Sequence, residues 1–79
     1  MANKRRAARY PLMKAATIKF AGGAISCIVR DLSTSGAALD VRNEMEIPTR
    51  FVLALPSEGL QMACRILWRK ERRVGVAFG

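Results

Sequence analysis

The stretch Leu60-Gln61-Met62-Ala63-Cys64-Arg65-Ile66-Leu67-Trp68-Arg69 decides the fold. Leu60, Met62, Cys64, Ile66 and Trp68 alternate with Gln61, Ala63, Arg65, Leu67 and Arg69. Successive side chains of a strand point to opposite faces, whereas a helix repeats every 3.6 residues, so this period of two predicts a strand with one wholly apolar face. The same period continues on both sides. Val74, Val76 and Phe78 follow a short charged turn from Lys70 to Arg73. Phe51, Leu53 and Leu55 precede it across Pro56-Ser57-Glu58-Gly59, which has Pro early and Gly last as a turn requires. Ala37, Leu39 and Val41, then Ile25, Cys27 and Val29, then Ala16, Ile18 and Phe20 complete six runs. Gly22-Gly23 predicts a tight hairpin between the first two. Asp31 to Gly36 reads as a polar loop, and Arg42 to Arg50, closed by Pro48, is the longest connection. No segment reads as a helix with a face to dock; Asn3 to Arg9 has no apolar side.

A chain of 79 residues is one domain. At that size about 60% of the unfolded surface is buried on folding, so the core is thin. Apolar residues make up 51%, which excludes global disorder. Six short strands with turns this regular read as an antiparallel barrel or a compact sandwich, and the barrel is preferred because so small a sheet must hide both edges. The chain has no His, which removes the usual general base, imidazole metal ligand and pH switch. Catalysis would need a nucleophile–base pair or a metal cage, so no enzyme is expected. Cys27 and Cys64 form no CxxC pair and read as reduced, apolar strand residues. No signal-peptide run and no apolar stretch of membrane length is present, so a cytoplasmic soluble protein is expected.

Lys and Arg total 14 against 6 Asp and Glu, a net charge of +8 that attracts polyanions. Lys4, Arg5, Arg6, Arg9, Lys14, Lys19 and Arg30 all precede the first carboxylate, Asp31. Arg5 and Arg9 lie in an arm before Tyr10-Pro11, where Pro11 biases Tyr10 away from helix. Alone, such an arm is usually a solvated tail. A guanidinium fork nevertheless matches the O6 and N7 edge of guanine, worth about 1–3 kcal/mol per good bidentate contact. Asp31-Leu32-Ser33-Thr34-Ser35-Gly36 alone is usually an ordinary polar loop. Turned outward, its carboxylate accepts from guanine N–H groups, its hydroxyl serves base or phosphate, and glycine lets backbone approach a flat ligand. About twenty residues separate the two stretches, enough for one hairpin to return the second beside the first.

Together these segments resemble the PilZ domain, a bacterial receptor module for cyclic di-GMP whose signature is R-x-x-x-R in an N-terminal arm followed by D/N-x-S-x-x-G. Here they are Arg5-Arg6-Ala7-Ala8-Arg9 and Asp31 to Gly36, and Trp68 followed by Gly75-Val76-Ala77-Phe78 is similar to the way such barrels close. The resemblance implies an all-β, six-stranded antiparallel barrel of PilZ-like, split-barrel type over residues 11–79. A flexible basic ligand-binding arm would occupy residues 1–10. It implies cyclic di-GMP as ligand and no cofactor or metal. Arg5 and Arg9 would hold phosphate and the guanine edge, with Arg6 an added contact. Asp31 and Ser33 would line the guanine pocket, and Gly36 would permit the loop's shape. Lys4, just before the first motif Arg, would influence whether one or two nucleotides bind. Apart from the resemblance, Arg69, Lys70, Arg72 and Arg73 read most simply as a solvated turn, with a contribution, from Arg69 foremost, to ligand phosphate or to an acidic partner as the sharper reading. Many relatives carry a helix after the last strand, so a short single-domain form is expected.

The arm holds three Arg with no acid nearby and should order only when ligand cross-links it to the barrel. Its repositioning would alter binding to a downstream protein, with homodimer formation also open. A ligand-independent PilZ-like adaptor is one alternative. A single-stranded nucleic-acid binder is another, but it needs exposed stacking platforms. Phe20, Phe51, Trp68 and Phe78 share the apolar phase of their strands, which places Trp68 in the core and leaves only Tyr10 for stacking.

Overall fold

Each of the six alternating runs is a strand. In a computed structural model, which describes residues 10–79 and side-chain burial from Met13 onward, they are β1 (Tyr10–Phe20), β2 (Gly23–Leu32), β3 (Gly36–Asp40), β4 (Arg50–Leu55), β5 (Leu60–Lys70) and β6 (Arg73–Phe78). The spatial order is β1-β2-β3-β6-β5-β4, every pair antiparallel, with β4 returning to β1 to close the barrel. Closure leaves no edge of the sheet unpaired.

The apolar phase points inward. Ile18, Val29, Leu39, Leu53, Leu55 and Val74 are fully buried, and Ala16, Cys27, Val41, Ile47, Phe51, Cys64 and Val76 complete the core. Fully burying one such aliphatic side chain contributes about 1.5–3 kcal/mol. Cys27 and Cys64 are free thiols within this core. Burial pushes the Cys27 thiol up to about 12, with a further push from Cys64, and burial raises Cys64 to about 11. Both are inert apolar fillers at neutral pH.

Three details differ from the reading of the sequence. The first hairpin turns on Ala21-Gly22, because Phe20 pairs with Gly23, which already belongs to β2. Asp31 and Leu32 end β2 rather than open a loop, since pairing with both β1 and β3 holds them extended. Trp68 is not in the core; it is 46% exposed. The Lys70–Arg73 turn is a two-residue hairpin with Glu71 and Arg72 at φ 47° and 64°.

The connection after β3 contains a single 3-10 turn, Glu44–Glu46, capped by Asn43, whose Oδ1 accepts from the Met45 N–H at 3.0 Å. It is tied down by Arg69, whose Nη1 donates to the carbonyls of Glu44 (2.8 Å) and Ile47. The Arg72 N–H donates to Glu44 Oε1 at 2.7 Å. Glu44's carboxyl is held below its usual range by its own backbone N–H and then by that of Arg72.

Candidate functional site

The register lines up one row of outward positions across neighbouring strands: Asp31 on β2, Ala38 on β3, Gly75 on β6 and Trp68 on β5. The two middle positions carry almost no side chain, so the row is a trough. Ala38 and Gly75 form its floor, Asp31 stands at one wall and Trp68 at the other. Ser33, Ser35 and Gly36 close one end, and Leu67 and Ala77 flank the rest. The cavity measures about 300 Å³, the small end of ligand sites (about 300–1,000 Å³).

Three register shifts meet at this level. One lies between Pro11 and Lys14, one between Val29 and Asp31, and one between Ile66 and Trp68. Each gives one strand an extra residue, which bends that strand, increases its twist and re-aims its side chains. On β5 the extra residue is Leu67. It switches the alternation, so Trp68, in phase with Cys64 by sequence count, faces outward with Leu67, itself 58% exposed. The indole then lies across Gly75, where a Cβ would collide with Trp68 Cε2 and Nε1. Glycine inside an otherwise apolar strand is the sequence signal that could have found this wall.

Gly36 has a related role. Its backbone is not left-handed; a Cβ there would run into the carbonyl oxygen of Val76. The residue is small because β3 approaches β6 closely, not because the loop needs a positive φ. The Ser33 hydroxyl accepts from the N–H groups of Gly36 (3.2 Å) and Ser35 (3.3 Å) and sits 3.2 Å from the Gly36 carbonyl. Ser33 N–H donates to that carbonyl at 2.9 Å, and Phe78 N–H to Ser35 carbonyl at 2.9 Å. Ser33 therefore folds its own loop onto the start of β3 while lining the trough, and the Phe78–Ser35 bond ties that loop to β6.

The structure thus brings Asp31, Ser33 and Gly36 together and adds Trp68. Arg69 is turned to the connection after β3 rather than to the trough lining. Lys4, Arg5, Arg6 and Arg9 lie outside the described residues. The strand that continues from them begins beside the trough, with Tyr10 paired to Leu32 and Pro11 to Asp31. One residue pair along the same outer face, Asp40 accepts from Arg30 Nη1 at 3.1 Å and Arg73 Nε at 2.7 Å. Among the described residues no group of three or more His, Cys, Asp or Glu could hold a metal, and no helix is long and apolar enough to cross a membrane.

The family model of the PilZ domain matches residues 3–79. The chain belongs to the PilZ domain family. PilZ domains are receptor modules for cyclic di-GMP. The barrel is similar to a crystal structure of the PilZ domain of CeSA from a cellulose-synthesizing bacterium, at TM-score 0.70 and 23% identity, covering 91% of this chain and 80% of that one. At that identity the likeness speaks for the fold. A search of curated proteins gives no match. In this PilZ domain the D-x-S-x-x-G residues occupy the end of β2, the loop and the start of β3, all on one rim of the trough.

Proposed function

We propose that this PilZ domain binds cyclic di-GMP, seating one guanine in the trough and gripping the phosphates with the arm. Trp68 and Asp31 carry complementary halves of base recognition. An indole face stacks on any base, worth about 1–3 kcal/mol. A carboxylate accepts from guanine's N–H groups and selects for it. The observation that carries the reading is the register: Tyr10 and Pro11 pair with Leu32 and Asp31. Arg9 adjoins Tyr10 in the chain, and Arg5 is five residues from it, a reach of at most about 18 Å. That reach supports a reading in which both motifs meet one ligand. Arg5 and Arg9 hold phosphate and guanine edge through charge-assisted bonds, Arg6 and Lys4 add positive charge, and Lys4 favours a more negative, two-molecule ligand. Ser33 serves through the loop it clamps, and Gly36 through the close strand contact.

Ligand then cross-links arm and barrel, ordering the arm and changing the surface offered to a downstream protein. A ligand that binds only the folded form adds about 2.7 kcal/mol at a hundredfold excess over Kd. For a domain of this size that raises Tm by about 10–20 °C. The exposed Trp68 supplies a stacking platform, but one platform beside a carboxylate suits a single base better than a polyphosphate strand.

Calorimetry with cyclic di-GMP tests the reading, with Arg9→Ala, Asp31→Ala and Trp68→Ala alongside. Binding to the parent chain, lost by at least tenfold in each folded variant, is expected. No heat and no shift in Tm would leave the ligand-independent adaptor instead. Amide exchange of residues 3–10 that is identical with and without saturating ligand would remove the ordering step.

A further inference from the structure

A second face of the barrel plays no part in the trough. The outward positions of β1, β4 and β5 pair Val52 with Lys19 and Ala63, Ala54 with Thr17 and Gln61, and Arg50 with Arg65. The aliphatic groups there are short, so the face is flat, with Lys19, Arg50 and Arg65 gathered at one end. None of the three strands contains an Asp or Glu. Arg50 and Arg65 stand directly opposite each other in the register; such cross-strand partners typically have Cβ atoms about 4.5–5.5 Å apart, and like charges so placed destabilise a sheet. Arg30 and Arg73 are engaged by Asp40, and Arg69 by two carbonyls. Among the described residues, neither the Arg50 nor the Arg65 side chain has a hydrogen bond or ion pair. Two exposed guanidinium groups held face to face with no carboxylate between them form a cationic pair that an acidic partner can neutralise.

We propose that this face docks an acidic helix of a partner protein, one that sets two carboxylates against Arg50 and Arg65 and small apolar residues on Val52 and Ala63. Helical positions i and i+4 lie about 5–6 Å apart, close to the cross-strand spacing of the two arginines. The flat, short-side-chain surface lets helix backbone approach. A second copy of this chain is a poor occupant: its net charge is +8, its Asp40, Glu44 and Glu58 already have partners, and the exposed Glu46 and Glu71 sit in a 3-10 turn and a hairpin turn rather than on a helix. Nucleic acid is disfavoured because no aromatic side chain occupies an outward position of these paired segments to stack on a base. The proposal does not require nucleotide binding: Arg50, Val52 and Ala63 lie outside the trough lining, and Arg65 meets it only at its edge, opposite Ala77.

The test uses the full chain and a labelled, Ala-rich helical peptide of about 15 residues, long enough to hold helix when stabilised by i, i+4 pairs and a docked face, with Glu at i and i+4. Fluorescence anisotropy at low and physiological salt follows binding. Arg50→Ser with Arg65→Ser should weaken it at least about tenfold, while Arg42→Ser with Arg72→Ser, an equal charge change elsewhere, should stay within about twofold. The first double variant should melt at or above the parent temperature, because a repulsive pair is gone. Arg65→Glu keeps the fold by pairing with Arg50 and should repel the peptide. Equal losses in both double variants, or full binding by Arg65→Glu, would overturn the proposal. So would a single-stranded oligonucleotide that displaces the peptide and depends on the same two arginines.

Discussion

Gly36→Ala and Gly75→Ala make the same chemical change at two strand glycines of the trough, and the structure separates their consequences. At Gly75 the new methyl meets the indole of Trp68, the exposed end of a side chain that can swing into solvent. The fold gives up little, and an alanine is a better strand residue than glycine. Stability should move by no more than about 1 kcal/mol, or about 4–8 °C in Tm. At Gly36 the methyl meets the Val76 carbonyl oxygen, which is backbone and paired. Strands β3 and β6 must part, the Ser33 clamp loosens with them, and the loss should reach about 2–3 kcal/mol of the roughly 4–12 kcal/mol a domain of this size possesses. Trp68 is the chain's single tryptophan, so its emission reports directly on the trough wall. Gly75→Ala should red-shift that emission and weaken cyclic di-GMP by the stacking increment, about 1–3 kcal/mol, while thermal melting stays nearly unchanged. Gly36→Ala should lower Tm by about 10–20 °C. Emission unchanged in Gly75→Ala, or parental melting in Gly36→Ala, would refute the close-approach account of this site.

Other consequences can be measured on the unliganded barrel. Glu71 and Arg72 occupy left-handed backbone that asparagine and glycine adopt more readily, so Glu71→Asn with Arg72→Gly should raise Tm by about 4–8 °C, a gain of about 1 kcal/mol. Asp40→Asn removes the acceptor shared by Arg30 and Arg73 in half-exposed ion pairs; the cost should be about 1 kcal/mol in low-salt urea titrations and shrink as salt is added. The Cys27 and Cys64 thiols deprotonate at about 12 and about 11 in the fold against 9.0 in the open chain. Above pH 9 the unfolded chain therefore carries fewer protons, so stability is intact below that pH and falls as pH rises. The slope reaches at most about 1.4 kcal/mol per pH unit per thiol. Cys27→Ala should flatten it, and an unaltered slope between pH 9 and 10.5 would contradict that origin. Glu58, held below the usual carboxylate range by Lys14, contributes in the opposite sense: its share is present at neutral pH and is lost on acidification.

Strand number, the inward phase of most strands and the closing turns are local properties, and they are readable from residue alternation. Ile18, Val29, Leu39, Leu53 and Val74 are buried as the period of two requires, and Pro56 to Gly59 turns as its composition requires. The motif residues Asp31, Ser33 and Gly36 are equally visible in the chain. Their partner Trp68 is not, because its orientation depends on Leu67 having no counterpart on β6. A bulge is a mismatch between two strands, and neither strand alone contains it. The same holds for the Gly36 and Gly75 contacts and for Arg50 meeting Arg65: each joins segments far apart in sequence through a register that only closure of the barrel sets. Alternation and turn chemistry thus specify which residues face in. The pairing of distant strands specifies which outward residues meet, and it is there that the trough and the cationic face arise.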